Sequence, residues 1–341
     1  MKAAMYYNNN DIRVEEIAVP DIKKGELLMR VESSGVCGSD LMEWYRLPNA
    51  PLVLGHEVAG EVVKTGGGVK DFKEGDRIVT THHVPCNSCF YCLSDRHTVC
   101  PDIKSTYFDP GGFCEYLRIP KVNVERGTFL LDDSVSYDEG SFVEPLGCVV
   151  RGQRVAGFEP GMSVAVIGSG ITGILNLQYA ISQGSSYTCA VDISEYKLSF
   201  ALKFGADDAF YSNDGDILEK IKQKNGRLID FVIVCAGVDT AIQQALKLVE
   251  KGGTILYFAP ADPDYNFETN FNELWWAGIK IISSYAAAPV DLQMALKLIQ
   301  YKRINVLDMV THKLPLADIE KGFNMVEKST ESLKIIINPG I

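Results

Sequence analysis

The chain has 341 residues, more than one hydrophobic core usually serves, so two domains are expected. Hydrophobic residues make up 46% and charged residues 23%, an ordinary globular balance. The net charge of −11 excludes nucleic acid or an anionic membrane as the main partner, since both need a basic footprint.

Met1 to Tyr6 lack the apolar core of an export signal, and no run approaches the roughly 20 apolar residues that span a bilayer. A cytoplasmic location is expected. The nine cysteines are an odd number, and without an export signal they read as metal ligands and buried thiols rather than disulfides.

Residues 1–150 read as a β-rich domain. Short apolar runs at Glu26–Ser33, Glu57–Lys64 and Asp76–Thr80 are separated by glycine and charged turns. Asn8-Asn9-Asn10 reads as a turn, and Gly66-Gly67-Gly68 as the connection of a hairpin. From Gly161 the texture changes to strands alternating with helices. Strands are expected at Met162–Ile167, Tyr187–Val191, Phe231–Cys235, Thr254–Phe258 and Ile279–Tyr285, with helices at Ile171–Gln183 and Glu195–Phe204. Such alternation predicts βαβ units and a parallel sheet. A helix at Asp291–Tyr301, a turn at Leu314-Pro315-Leu316, a second helix and a short strand at Ile335–Ile337 complete the chain, and this tail suits a return to the first domain.

Gly168-Ser169-Gly170-Ile171-Thr172-Gly173 sits between the first of these strands and the first helix. The glycines permit a tight turn, close approach of backbone to a pyrophosphate, and close packing of helix on strand. Asp192, about 20 residues further on, stands where a carboxylate would bind the adenosine ribose hydroxyls and repel a 2′-phosphate, so NAD is favoured over NADP. Lys197, one turn later, could also reach the ribose.

Cys86, Cys89, Cys92 and Cys100 have the spacing of a four-thiolate zinc site. Its ligand shell is full, so the site reads as structural, ordering a lobe at residues 84–103. Structural zinc supplies roughly 10–16 kcal/mol in small finger peptides, enough to hold a segment with little core. A second site can be assembled from Cys37, His56 and either Glu57 or Glu144: three protein ligands and an exchangeable fourth position, the arrangement of catalytic zinc.

Taken in order, Gly35-Val36-Cys37-Gly38-Ser39-Asp40, Gly55-His56-Glu57, the four-cysteine lobe and the glycine turn closely resemble the zinc-dependent medium-chain dehydrogenases, the zinc alcohol dehydrogenases. The resemblance covers essentially the whole chain and is strongest to the polyol branch of sorbitol, threonine and glucose dehydrogenases. It implies a GroES-like catalytic domain from residues 1–150 and 288–341, a doubly wound, parallel-sheet Rossmann domain over residues 151–287, and an active site in the cleft between them. It also implies two zinc ions per chain, NAD(H), a small-molecule polyol or alcohol substrate, and a homo-oligomer, dimer or tetramer, with sheets joined near Ile279–Tyr285.

By matched position, zinc on Cys37, His56 and a glutamate would favour the alkoxide of a secondary hydroxyl, which becomes a ketone as hydride passes to NAD⁺. Ser39 matches the residue that bonds the substrate oxygen and starts the proton relay. Asp40 matches the carboxylate that orients the ligand histidine. Glu144 falls where simple alcohol dehydrogenases place a third ligand cysteine. Met42 departs from the pattern: many relatives carry a relay histidine there, which leaves the proton route to ribose hydroxyls and water or to Glu43. Trp44 and Ser105–Phe113 would line the substrate cleft, whereas His82, His83, His97 and His312 have no partnered spacing and are expected at the surface or behind the ligands.

The reaction expected is reversible oxidation of a polyol, sugar, cyclitol, aminocyclitol or amino alcohol. The alternatives are a secondary-alcohol dehydrogenase or ketone reductase on simple alcohols, a zinc-free NADPH-dependent reductase, and a non-catalytic NAD-binding or structural relative.

Overall fold

The computed structural model describes residues 1–328 and 331–340, so the last residue of the expected first domain, Ile341, lies outside the described residues. The chain divides into two compact units, Met1–Gly147 with Ala286–Ile341, and Cys148–Tyr285. Among the described residues no helix is long and apolar enough to cross a membrane.

The first unit is built on β-structure. Lys2–Asn8 and Asp11–Glu16 form an antiparallel hairpin, turned at Asn8-Asn9-Asn10 as expected, and Leu52–Val53 pairs with the first of them. A larger sheet runs in the order Val310–Pro315, Lys334–Asn338, Leu27–Gly35, Glu57–Thr65, Arg77–Thr80, Thr128–Leu130, with Tyr116–Ile119 also paired to Leu27–Gly35. Strand Leu27–Gly35 is buried along nearly its whole length because other elements cover both of its faces. Its Leu27, Met29 and Val31 share one apolar core with Val58, Val62, Ile78, Leu117, Ile335 and Ile337.

A single strand register brings two distant motifs together. Leu27–Gly35 and Glu57–Thr65 are antiparallel, with Gly35 opposite Glu57. The segments just outside that pair, Val36-Cys37 and Gly55-His56, therefore emerge side by side at the same end of the sheet. The C-terminal strand, given as Ile335–Ile337 by the sequence and observed at Lys334–Asn338, lies along the other edge of Leu27–Gly35, with Ile336 opposite Gly35.

The second unit is a six-stranded, all-parallel sheet in the order Asp208–Tyr211, Tyr187–Asp192, Ser163–Ile167, Ile229–Val234, Val249–Tyr257, Lys280–Ser283. In chain order this is 3-2-1-4-5-6, the doubly wound dinucleotide-binding arrangement, which reverses direction between Ser163–Ile167 and Ile229–Val234. Those central strands and Tyr187–Asp192 are almost wholly buried, as continuous apolar runs flanked by helices require. Helices Ile171–Ser182 and Glu195–Lys203 fall within a residue of their expected ends. Strand Asp208–Tyr211 and helices Ile217–Asn225, Asp239–Leu248 and Phe271–Ala277 carry no assignment from sequence.

Ile337 is fully buried where the C-terminal strand pairs with both Leu27–Gly35 and Val310–Pro315. Ile337→Ala is expected to cost the first unit about 2–5 kcal/mol, read as a lowered denaturant midpoint by circular dichroism.

Candidate functional site

Cys37 follows strand Leu27–Gly35 and opens a short 3₁₀ turn, Gly38–Leu41. The turn closes on itself: Asp40 N–H donates to the Cys37 carbonyl (3.0 Å), and Cys37 N–H donates to Asp40 Oδ2 (3.1 Å). His56 reaches the same place from the other strand. Gly55 before it has φ +91°, and a Cβ there would lie 2.9 Å from the backbone nitrogen of Phe113, so only glycine fits this bend. One ligand atom from each of Cys37, His56 and Glu57 falls within 4.8 Å of the others. Glu144, in the first turn of helix Val143–Ala156, is buried but is not one of these three.

Asp40 is fully buried, and its Oδ1 lies 3.3 Å from His56 Nδ1 and 3.4 Å from Arg46 Nη2. Burial opposes ionisation of Asp40, yet the charge and hydrogen bond of His56, with Arg46 and the Cys37 N–H, hold its carboxyl below the usual carboxylate range. His56 experiences the converse: burial disfavours its cation, but Asp40 and Cys37 outweigh burial and raise its pKa well above the ordinary value. Because Nδ1 faces Asp40, it keeps its proton when the ring is neutral, which leaves the Nε2 lone pair for a metal that displaces the second proton.

Three residues of this site carry no local signal in the sequence. Lys334, on the C-terminal strand, is 1% exposed, forms an ion pair with Glu57 Oε2, and donates to the Val36 carbonyl at 3.1 Å. The pair fits because residue 35 is glycine: a Cβ there would come 2.2 Å from Glu57 Oε2 and 2.7 Å from Lys334 Nζ. Arg46 donates from Nε to the Ser39 carbonyl (2.9 Å) and from Nη2 to Ser39 Oγ (3.2 Å). His82 is buried beside His56, with ring centroids 4.7 Å apart, and its Nδ1 has no hydrogen-bond partner among the described residues. Ser39 Oγ also lies 3.4 Å from Cys37 Sγ.

A cavity of about 300 Å³ opens next to His56. Leu52, Val53, Leu54 and Phe108 form its apolar wall, and Arg46, Asn49, His82 and Tyr107 its polar one. Tyr107, Phe108, Pro110 and Gly111 come from the stretch expected to line a substrate site, but Trp44 does not reach the cavity and is 46% exposed. It lies instead against Tyr45 on the outer side of a single helical turn, Glu43–Arg46. Glu43 accepts a hydrogen bond from the Asn9 backbone.

The four-cysteine lobe has almost no core of its own beyond Cys92, Cys100 and Ile103, with Cys86, Cys89 and Ala286 against them. Its four sulfurs lie within 4.8 Å of one another, with Cys89–Cys92 at 3.6 Å and Cys86–Cys92 at 3.9 Å. A tetrahedral zinc with Zn–S near 2.3 Å places sulfurs about 3.8 Å apart, so the donor set fits that ion. The Ser88 and Cys89 N–H groups point at Cys86 Sγ (3.5 and 3.3 Å) and lower its pKa to about 6, whereas burial raises Cys92 to about 12.

In the second unit the glycine turn follows strand Ser163–Ile167 directly. Gly168 has φ +94° and donates to the Val191 carbonyl (2.8 Å), while a Cβ on Gly173 would come 1.9 Å from the Gly168 carbonyl oxygen. Gly170 caps helix Ile171–Ser182, so the first N–H groups of the helix, those of Ile171 and Thr172 among them, have no partner within the helix. Ser169 Oγ is buried without a partner among the described residues. A helix N-terminus with an orphaned hydroxyl fits a pyrophosphate. Asp192 ends the second strand, its Oδ2 accepting from Ser169 N–H (2.6 Å) and its Oδ1 from Ser194 N–H (2.8 Å). The cap of the following helix is Ser194, which accepts from the Lys197 N–H, and Lys197 itself is half-buried in the first turn.

Comparison with known proteins agrees with this geometry. Residues 23–127 match the alcohol dehydrogenase GroES-like domain, and residues 172–301 match the zinc-binding dehydrogenase domain. A sorbitol dehydrogenase of Bacillus subtilis (strain 168) is 34% identical over 264 residues, covering 75% of this chain and 74% of its own. An L-threonine 3-dehydrogenase of Bacillus velezensis is 31% identical over 341 residues, covering 96% and 95%. Among solved structures, a protein assigned as a zinc-binding dehydrogenase from Sinorhizobium meliloti 1021, in complex with NADP, superimposes with a TM-score of 0.88 at 25% identity over 99% of both chains. The 2R,3R-butanediol dehydrogenase from Bacillus subtilis does so with 0.86 at 26% identity, again over 99% of both. The chain is an enzyme of the zinc-dependent medium-chain dehydrogenase family, the zinc alcohol dehydrogenases.

Proposed function

We propose that this dehydrogenase reversibly oxidises a secondary hydroxyl of a polyol, sugar, cyclitol, aminocyclitol or amino alcohol to the ketone, with NAD⁺ as hydride acceptor. The observation that carries the reading is the Cys37–His56–Glu57 cluster beside a cavity whose wall is half polar. A metal held there supplies Lewis acidity toward a hydroxyl oxygen. Cys37 and His56 are its ligands in this reading, with Glu57 or Glu144 as the exchangeable oxygen donor. Asp40 holds the imidazole in one tautomer and raises its basicity. Ser39 takes the hydroxyl proton. Arg46 cannot accept it, being a permanent cation, so its bond to Ser39 Oγ orients the hydroxyl and the proton leaves by water or cofactor hydroxyls. The apolar wall at Leu52, Val53, Leu54 and Phe108 favours a second reading, oxidation of simple secondary alcohols.

The four-cysteine lobe is assigned a second, structural zinc, and the Ser169–Asp192 turn the cofactor pyrophosphate and ribose, with Gly168, Gly170, Ile171, Thr172, Gly173 and Lys197 around them. The exposed edge strand Lys280–Ser283, next to Trp275 and Trp276 (78% exposed), is assigned to pairing with a second copy in a homo-oligomer.

A panel of polyols, cyclitols and short monohydric alcohols with NAD⁺ tests the reaction. Turnover of polyhydroxylated substrates is expected, and high activity confined to monohydric alcohols would overturn it. His56→Ala should lower kcat/KM by at least about 10³-fold while the circular dichroism spectrum stays that of the folded protein. Cys100→Ser should lose one zinc per chain by metal analysis and melt at a lower temperature; full zinc content and unchanged melting would refute a structural ion. Asp192→Ala should raise KM for NAD⁺ and lower KM for NADP⁺, shifting the kcat/KM preference toward NADP⁺ by about 10-fold or more; an unchanged preference would remove Asp192 from cofactor selection.

A further inference from the structure

The cavity beside His56 is lined by two side chains, Arg46 and His82, that each keep a nitrogen no protein group engages among the described residues. Among its lining residues Arg46 is a cation and His82 a buried polar ring, while the sole carboxylate is that of Asp40. That carboxylate is already engaged: Oδ2 by the Cys37 N–H, and Oδ1 by both His56 and Arg46. The other nearby acids are also paired, Glu43 with the Asn9 backbone and Asp109 with Arg118. Arg46 spends Nε and Nη2 on Ser39 and Asp40, and its Nη1 has no protein partner among the described residues. His82 Nδ1 is likewise buried and unpartnered.

We propose that Arg46 and His82 form a subsite for an anionic group, a carboxylate or a phosphate, at one end of a hydroxylated substrate. The inference rests on the dehydrogenase reading and narrows its substrate class from neutral polyols to sugar acids or sugar phosphates. The geometry suits such a molecule. Arg46 Nη2 lies 3.2 Å from Ser39 Oγ, the hydroxyl proposed to take the substrate proton, so an anion on the same guanidinium puts a carbinol carbon only a few bonds away beside Ser39. A guanidinium presents its N–H groups in a planar fork that matches a carboxylate or phosphate edge, and inside a half-closed cavity such bonds are charge-assisted and stronger than neutral ones. Tyr45 stacks under the Arg46 guanidinium at 4.6 Å and holds its plane. The anionic group takes no part in the redox step: hydride still leaves the carbinol carbon for NAD⁺ and the proton its oxygen.

The test uses the zinc-loaded enzyme with NAD⁺ and matched trios of hexitol, aldonate and hexitol 6-phosphate in the gluco and galacto configurations. One anion of a trio should exceed its neutral hexitol in kcat/KM by at least about 10-fold, and whether aldonate or phosphate does so identifies the anion. Arg46→Met should reduce that preference at least about 10-fold, and Arg46→Lys should restore part of it. Calorimetric titration of the NADH-bound enzyme with the same compounds should give tighter binding of the anion, weakened in Arg46→Met and in about 0.5 M salt. Hexitols equal to or better than both anions would overturn the subsite. So would an Arg46→Met variant that loses activity on all three compounds equally, which would leave Arg46 only the positioning of Ser39 and Asp40. If none of the compounds reduces NAD⁺, the proposed reaction falls, and titration still decides the subsite: anion binding lost in Arg46→Met upholds it, and absent or unchanged binding overturns it.

Discussion

The buried ion pair between Lys334 and Glu57 is the contact on which the first unit's site depends. The two residues are 277 apart in sequence and each is about 1% exposed, so neither charge has water to fall back on. Breaking such a pair by removing one partner typically costs about 3–5 kcal/mol, because the other charge stays buried alone. It is admitted by the bare backbone of Gly35, and it ties the C-terminal strand to the strand pair that carries Cys37 and His56. The last strand of the chain is thus both part of the core and a wall of the candidate metal centre.

That pairing also shapes what Glu57 can do. One of its oxygens faces an ammonium, so any cation beside Cys37 and His56 competes with Lys334 for the same carboxylate. A thiolate and a carboxylate set against one ammonium leave a single net negative charge, which a dication would reverse. A second carboxylate, such as Glu144, would restore neutrality. On charge balance, a dication held by Cys37 and His56 would draw on both glutamates of the proposed centre, and Glu57 is the one restrained by Lys334.

Much of the fold and of the candidate site was legible in the sequence, and the division follows sequence distance. The four cysteines and the glycine turn each act within about one supersecondary element, so spacing alone carries their chemistry. The central strands of the second unit are continuous apolar runs and could be read directly, whereas Asp208–Tyr211 is short and half-exposed, and Ile217–Asn225 has too many lysines to show an apolar face clearly. Arg46, His82 and Lys334 have no spacing to betray them. Arg46 folds back on Ser39 through two successive short turns, and the other two gain their meaning only when the chain brings His82 to His56 and Lys334 to Glu57. Trp44 shows the opposite failure: a large aromatic beside a motif suggests a lining residue, but on a four-residue helix it is the next two side chains, Tyr45 and Arg46, that turn inward.

Asp192, proposed to select the cofactor, is first of all a structural carboxylate. Both oxygens already accept backbone N–H groups, one from the glycine turn and one from the start of the next helix, so Asp192 clamps those two segments together. Each oxygen keeps a further lone pair, enough to accept a ribose hydroxyl but with nothing to offer a phosphate except repulsion. Ile193, exposed beside it, adds no donor to offset that repulsion. The nearest cation by sequence is Lys197, half-buried in the first turn of the next helix. In the proposed reading, cofactor choice turns on this backbone-clamped carboxylate, whose position is fixed by the fold before any cofactor binds.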